Sequence, residues 1–188
     1  MKNNELIHFI GEHISGEVRE ALSGGTVRKI LYDEAGDSLN IEANFKKYIE
    51  SDFIEDACSQ VKNGLGIRKA VIEPFYPPEV FDEECMEGAF KALKADNAAA
   101  NGYFDTAKVS IDDDSKTICI TVDSGVGVLK DTGADIFLSK YIEKHYSLRY
   151  EVALTGNREI DINSPEYIEM QARNITVEIP KEEEAKPC

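Results

Sequence analysis

The stretch VRKILYDEAGDSLNIEANF, residues 27–45, decides the fold because it has the pattern of two strands joined by a tight turn. Its second half places an apolar residue at every other position: Leu39, Ile41, Ala43 and Phe45. Period-two alternation is typical of a strand with one buried face. The intervening EAGD, residues 34–37, is rich in residues that favour reversals. The sequence therefore predicts a hairpin that is covered on one side.

Helical periodicity flanks this hairpin on both sides. The helix before it is predicted by apolar residues four positions apart, which stop at SGG, residues 23–25: Leu6, Ile10, Ile14, Val18 and Leu22. After it, Ser51 gives an N-cap signal for a helix whose apolar stripe ends at NGLG, residues 63–66. A third strand, KAVIEPFY, residues 69–76, follows this helix, so the connection has the form of a βαβ crossover.

The same order of elements recurs after Pro77 and Pro78. PEVFDEECMEGAFKALKA, residues 78–95, predicts a helix, and TAKVSID, 106–112, with TICITVD, 117–123, predicts a second hairpin. DTGADIFLSKYIEKHY, 131–146, predicts another helix, and RYEVALTG, 149–156, a last strand. A shift of 79 residues aligns the starts of matching elements. The pattern is therefore a repeat of elements and not of residue types.

These elements predict an α+β fold made of two small tandem α-β-β-α-β units, each a three-stranded mixed sheet packed on helices. We place the domain boundary at the paired prolines, because neither can donate a hydrogen bond to a sheet. The expected domains are residues 1–77 and 78–156. The remaining residues, 157–188, are expected to form an acidic linker or tail, since Glu182, Glu183 and Glu184 are too charged for a core.

Composition disfavours two classes of function. In 188 residues, 36 Asp and Glu oppose 21 Lys and Arg, for a formal charge of −15. This charge repels phosphate backbones, so we do not expect direct nucleic-acid binding.

The first residues, MKNNELIHFIGEHI, carry too short an apolar run and too many charges for a secretory signal or membrane span. We expect a cytoplasmic protein with no membrane association.

VSIDDDSKTICITVDSGVG, residues 109–127, raises the question of a metal site through four acids: Asp112, Asp113, Asp114 and Asp123. A calcium loop of the EF-hand type that begins at Asp112 needs a glycine at its sixth position, and Thr117 occupies that position. The segment from Asp112 to Lys116 lies between two alternating strands, where Asp and Ser favour reversal. We therefore predict a hairpin turn here and no metal site.

Neither glycine pair has the pattern of a phosphate-binding loop. SGVG, residues 124–127, is followed by Val128, whereas such a loop needs a lysine and a hydroxyl residue directly after its last glycine. Gly64 and Gly66 lie at a predicted helix end, where a positive φ is wanted for the cap. We predict that SGVG is a strand-to-helix loop.

The histidines and cysteines do not combine into a recognisable site. His8 and His13 lie on different faces of their predicted helix, and His145 lies in the last turn of its helix, where an imidazolium would suit the dipole. Four cysteines without a C-x-x-C pair are expected to be reduced and mostly buried thiols: Cys58, Cys85, Cys119 and Cys188. We predict no catalytic, cofactor-binding or metal residues in the chain.

Two longer segments carry a resemblance to a known family. VRKILYDEAGDSLNIEANFKKYIESDFIEDACSQVKNGLGIRKAVIEPFY, residues 27–76, has a basic pair before a strand, a hairpin, a phenylalanine-led loop and an amphipathic helix. FKALKADNAAANGYFDTAKVSIDDDSKTICITVDSGVGVLKDTGADIFLSKYIEKHYSLRYEVALTG, residues 90–156, adds a long helix and a closing aromatic strand. In this order they resemble the N-terminal region of PolC-type bacterial DNA polymerase III α subunits.

The resemblance implies that this chain is the non-catalytic N-terminal piece of a DNA-directed DNA polymerase with a 3′–5′ exonuclease. In that family two small domains precede an oligonucleotide-binding domain, a phosphoesterase-like domain, the exonuclease and the polymerase. The catalytic acids would then lie beyond residue 188. NSPEYIEMQARNITVEIPKEEEAKPC, residues 163–188, fits a linker to the next domain. The weak basic character of the chain departs from what a DNA-holding role would need.

Three hypotheses follow from these observations. The first is a protein-interaction module that docks a replisome partner, with the clamp-loader τ subunit as the candidate that the resemblance implies. The second is a module that binds single-stranded nucleic acid, since small α/β units with a GxxG-like loop clamp single strands. SGVG lacks the first glycine of such a loop. The third is an unrelated structural or regulatory protein with a similar pattern.

Overall fold

Two three-stranded sheets organise the structure, a computed structural model that describes residues 4–156. The first unit contains α1 (Leu6–Ile10), α2 (Gly16–Ala21), β1 (Thr26–Asp33), β2 (Ser38–Asn44), α3 (Ser51–Leu65) and β3 (Lys69–Phe75). A 3₁₀ turn, Pro78–Val80, leads into the second unit. That unit contains α4 (Met86–Asp96), a 3₁₀ turn (Ala98–Ala100), β4 (Lys108–Asp112), β5 (Thr117–Val122), α5 (Val126–Asp131), α6 (Ala134–Tyr146) and β6 (Glu151–Gly156).

Both sheets have the same topology, and the predicted fold class is confirmed. In the first sheet β1 and β2 are antiparallel, and β2 and β3 are parallel. In the second, β4 and β5 are antiparallel, and β5 and β6 are parallel. Each parallel pair is joined through a helix, as a crossover between parallel strands requires. The sheets are therefore mixed, and each is covered by helices of its own unit.

The two hairpin turns repeat in chemical detail at an interval of 79 residues. Asp33 Oδ1 accepts a hydrogen bond from the amide of Ala35 at 3.1 Å, and Asp112 Oδ1 accepts one from the amide of Asp114 at 3.0 Å. The last residue of each turn adopts a positive φ, 47° at Asp37 and 53° at Lys116. Their carbonyls then accept from the first residues of β3 and β6, Lys69 and Glu151. The turn conformation is thus a property of the repeat.

Alternation along the strands sets which side of each sheet is buried. Ile41 and Ala43 of β2 are buried, and Ile118, Ile120 and Val122 of β5 are buried while the residues between them are not. On β6 the buried side consists of Val152 and Leu154, preceded by the buried ring of Tyr150. These alternations match the predicted patterns. Each sheet buries one face against helices, which is how an antiparallel hairpin forms a core.

The first predicted helix is interrupted, so the expectation of one continuous helix up to Leu22 was wrong. It is divided into α1 and α2 by residues 11–15, and Ser15 caps α2 by accepting from the amide of Val18 at 3.5 Å. A side chain at Gly11 would lie 2.4 Å from the Ile7 carbonyl, so only glycine fits where the chain turns. The apolar residues of the predicted stripe are buried nevertheless, which explains why their spacing looked continuous.

Two other predicted helices begin later than expected. The helix predicted over residues 78–95 begins at Met86, because Phe81 is extended and its ring turns inward to meet Tyr146 at 4.9 Å between centroids. The helix predicted over 131–146 begins at Ala134, after Gly133 with φ of 72°. The residues before Gly133 form α5, a short helix that the sequence did not indicate.

Candidate partner-binding groove

The acids of residues 112–114 belong to the second hairpin turn, as predicted. The Asp112 carboxylate accepts hydrogen bonds from the amides of Asp114 and Ser115. The Ser115 hydroxyl, together with these two amides, lowers the pKa of Asp112. Asp113 accepts from the Tyr150 hydroxyl and from Lys116, which together lower its pKa. The Asp112 and Asp113 carboxylates therefore have partners within the turn, and Asp113 has a further partner in Tyr150.

Asp123 lies at the opposite end of β5 from this turn. The six residues of β5 span about 20 Å. Asp123 Oδ2 accepts from the Thr106 hydroxyl at 2.5 Å and so braces the approach to β4. Within residues 4–156 no group of three or more His, Cys, Asp and Glu side chains is arranged to hold a metal ion.

The glycine-containing segments lie at helix ends. Gly125 has a φ of 79° and precedes α5, so SGVG joins β5 to a helix as predicted. Gly66, with a φ of 68°, ends α3. Around SGVG, two acids, Asp123 and Asp131, outnumber the one base, Lys130, so this loop does not present the basic surface that a nucleic-acid backbone needs.

His145 lies in the last turn of α6, as predicted, and its imidazole ring is buried. Only 7 % of its surface is exposed, and its Nδ1 lies 2.7 Å from the Pro74 carbonyl. A carbonyl only accepts, so Nδ1 carries the proton. Burial lowers the pKa of His145, with the Pro74 hydrogen bond opposing it. Burial therefore favours the neutral ring, which joins α6 to the end of β3 through the Pro74 hydrogen bond.

Three of the four cysteines lie within the described residues, where all three are free thiols. Cys85 is buried, Cys58 is half-buried with its Sγ 3.2 Å from the Ile72 amide, and Cys119 is exposed. Burial raises the pKa of both Cys58 and Cys85. Cys119 does not follow the expectation of burial, because it lies on the solvent side of β5 between two buried isoleucines. Cys188 lies outside the described residues.

An aromatic seam joins the two units. The rings of Tyr76 and Tyr146 stack with centroids 5.0 Å apart, and the Tyr76 amide donates to the His145 carbonyl at 2.8 Å. Cys85 and Tyr146, from the second unit, complete the core of the first. Because these contacts cross the paired prolines, the relative position of the units is set by packing.

Two adjoining concave sections border this seam. The first, about 320 Å³, lies between α2 and residues 47–53 of the first unit, and the second, about 550 Å³, lies between residues 48–50, α4 and β4 and is formed by both units. The sections share Tyr48 and Glu50. We call this feature the acidic groove, after its exposed carboxylates: Glu17, Glu20, Glu50, Glu83, Glu84 and Glu87.

The floor of the acidic groove is aromatic and held by packing. Phe90 stacks on Phe104 with centroids 4.6 Å apart. The Tyr48 ring lies 5.9 Å from that of Tyr76, and its hydroxyl lies over Gly88, where an added Cβ would be 3.3 Å from the oxygen. Glycine at this position lets Tyr48 approach α4. Half-buried rings at fixed positions provide anchoring area at low entropic cost.

The charge of the acidic groove is nearly of one sign. Lys47 is the only basic residue among the described residues that line it. Lys91, outside the lining, lies 3.9 Å from Glu87 and also binds Asp52, so Glu87 is partly compensated. Exposed carboxylates around an apolar floor are complementary to a protein segment with lysine or arginine beside an apolar anchor.

Comparison with known proteins adds no assignment: no protein-family model matches the chain, and no curated protein matches it significantly. None of the helices in residues 4–156 is long and apolar enough to span a membrane.

Sequence reasoning missed the acidic groove. A signal exists in PEVFDEECMEGAF, residues 78–90, where five acids surround two phenylalanines. The other wall comes from α2 and residues 47–53, which end 25 positions before this segment begins. Only the packing of the two units brings these segments together.

Proposed function

We propose that this chain is a non-catalytic protein-interaction module of a bacterial replicative DNA polymerase of the PolC type, and that it acts in the cytoplasm. It docks a replisome protein, with the clamp-loader τ subunit as first candidate. The polymerase context and the choice of τ rest on the sequence resemblance. The observation that carries the interaction role is the acidic groove, because it combines exposed carboxylates with fixed aromatic rings across both units.

In this proposal the partner contributes a basic segment. The aromatic floor, including Tyr48 and Phe90, takes an apolar side chain of that segment, and the surrounding glutamates attract its cations. Attraction between a chain of charge −15 and a basic partner speeds association, and salt weakens it with a Debye length of about 8 Å at physiological ionic strength. A single strand of DNA carries the same sign of charge as the groove and is repelled.

Two titrations of the 188-residue chain test this function. Purified τ subunit and, separately, a labelled single-stranded oligonucleotide are added at several salt concentrations, and binding is followed by calorimetry and anisotropy. We expect saturable, salt-weakened binding of τ and no binding of the oligonucleotide at physiological salt. Tight oligonucleotide binding without a response to τ or other replisome proteins would replace this proposal with a nucleic-acid-binding module.

A further inference from the structure

The outer edge of β1 is open and unusually apolar within the described residues. Within the described residues β1 pairs with β2, and its other edge is covered only at its start, where Glu5 bridges Thr26 and the amide of Val27 donates to the Asn4 carbonyl at 2.7 Å. Beyond Val27 the strand continues to Asp33, and three consecutive side chains in its second half are markedly exposed: Ile30 (41 %), Leu31 (48 %) and Tyr32 (55 %). An exposed strand edge presents unpaired backbone donors and acceptors, which makes it a template for strand addition.

The internal repeat provides a comparison for this edge. The residues 79 positions later are Val109, Ser110 and Ile111, on β4. Val109 and Ile111 are half-buried, and the exposed central position is a serine. β1 is also eight residues long, whereas β4 has five. Leu31 therefore stands exposed where the equivalent strand has a small polar residue, and the fold itself does not require a leucine there.

The order of residues on this edge is self-complementary. When two copies of β1 are placed antiparallel with Leu31 on the two-fold axis, Leu31 lies opposite Leu31, Ile30 opposite Tyr32, and Lys29 opposite Asp33. Apolar residues and opposite charges directly across a strand pair are the favourable combinations, and like charges are unfavourable. Within residues 4–156, no other strand pairs with the outer edge from Arg28 to Asp33.

We propose that β1 is a self-association surface at which two copies of this chain pair through Lys29–Asp33 into a symmetric dimer. The sheets then join into one six-stranded sheet, with β1 next to β1 at its centre. The interface is isologous, the commonest arrangement in homo-oligomers. It lies on β1 and is separate from the acidic groove, so each surface can be disrupted without the other.

Sedimentation equilibrium of the 188-residue chain tests the dimer, at a salt concentration that screens repulsion between two chains of charge −15. We expect mass to rise from monomer to dimer with concentration. Leu31→Lys places two like charges on the axis and should weaken dimerisation at least about tenfold. The matched control is Ser110→Lys, which introduces a lysine at the equivalent position of β4 and should leave dimerisation unchanged.

Charge exchange tests the register. Lys29→Asp and Asp33→Lys should each weaken the homodimer about tenfold, because each creates two like-charged pairs. A mixture of the two variants should recover dimer, since both pairs become opposite again. Asp33 also accepts a hydrogen bond in its turn, and Lys29 lies opposite Glu42 in the sheet, so circular dichroism checks the fold of both charge variants. If either variant does not fold, Leu31→Lys decides. A concentration-independent monomer, or equal effects of Leu31→Lys and Ser110→Lys, would overturn the proposal.

Discussion

The phenol ring of Tyr76 stacks on that of Tyr146, with centroids 5.0 Å apart and planes 18° from parallel. Tyr76 ends the first unit and Tyr146 ends α6 of the second, so 70 residues of chain separate the two rings. The Phe81 ring contacts Tyr146 edge-on. Tyr48 connects this stack to the acidic groove, because it lines the groove and its ring centroid is 5.9 Å from that of Tyr76. The seam therefore supports the proposed docking surface as well as the fold.

Truncating the stack should destabilise the whole chain. Tyr146→Ala removes a ring that is 1 % exposed and leaves a cavity in the core, so we expect a loss of about 3–5 kcal/mol in the free energy of unfolding. Tyr146→Phe keeps the ring and should cost less than about 1.5 kcal/mol. Urea denaturation followed by circular dichroism measures both. Equal stability of Tyr146→Ala and wild type would show that the seam does not contribute to folding.

The predicted domain boundary at Pro77 and Pro78 can be tested by separating the halves. Each half has its own sheet and most of a core, but the first half lacks Cys85 and Tyr146 when cut at residue 77. We therefore expect 78–156 to keep dispersed amide resonances and 1–77 to be much less stable than in the full chain. If neither half shows dispersed resonances while the chain does, the two units form one cooperative core and the boundary is wrong.

Stability should fall as the pH drops below about 6.5, because His145 is buried neutral. The pKa of His145 is lower in the folded chain than its usual value of about 6.5 in the unfolded chain. Between these two pKa values the unfolded chain is protonated at His145 and the folded chain is not, so protons favour unfolding. The nearby Glu73 and Lys144 charges act in opposite directions on this pKa. His145→Gln should flatten the pH dependence of the urea midpoint between about pH 7 and pH 5. A variant with the wild-type slope would assign the dependence to other groups.

Substitutions in the second hairpin turn distinguish a structural role of Asp112 from a catalytic one. Asp112→Ala should lower the melting temperature modestly, because two turn amides lose their acceptor, while Asp112→Asn keeps an oxygen there and should stay near wild type. Asp33→Ala, at the equivalent position of the repeat, should behave similarly.

The isolated chain should neither extend a primer nor degrade DNA. Magnesium-dependent turnover lost in Asp112→Ala or Asp123→Ala would refute the structural role.

The sequence predicted the parts of the fold that local patterns control. Alternation in β2 and β5 and the turn residues of the two hairpins set strand positions to within one or two residues. The repeat of elements also followed from spacing. Helix starts were less predictable. Phe81 fits the helical spacing but is extended, and its ring packs on Tyr146. Gly133 separates α5 from α6 with a positive φ that sequence spacing does not reveal.

The candidate site was beyond the reach of pattern reasoning because it is assembled from distant segments. His145 was correctly placed in the last turn of its helix, but its burial and its contact with the Pro74 carbonyl of β3 had no sequence signal. Glu50 and Glu83 are 33 positions apart and line the same groove only because the units pack together. Net charge and composition indicated that a partner would be positively charged. The surface that binds this partner depends on tertiary packing.

Charge reversal within the acidic groove tests the central claim most directly. Glu83→Lys, Glu84→Lys and Glu87→Lys are combined in one variant, and Glu12→Lys, Asp131→Lys and Glu151→Lys, exposed positions outside the groove, form a control of equal net charge. Calorimetric titration with purified τ subunit compares both with wild type after circular dichroism confirms folding. We predict at least about tenfold weaker binding for the groove variant and near wild-type binding for the control. Equal binding by the two variants, or wild-type affinity in the groove variant, would contradict the account.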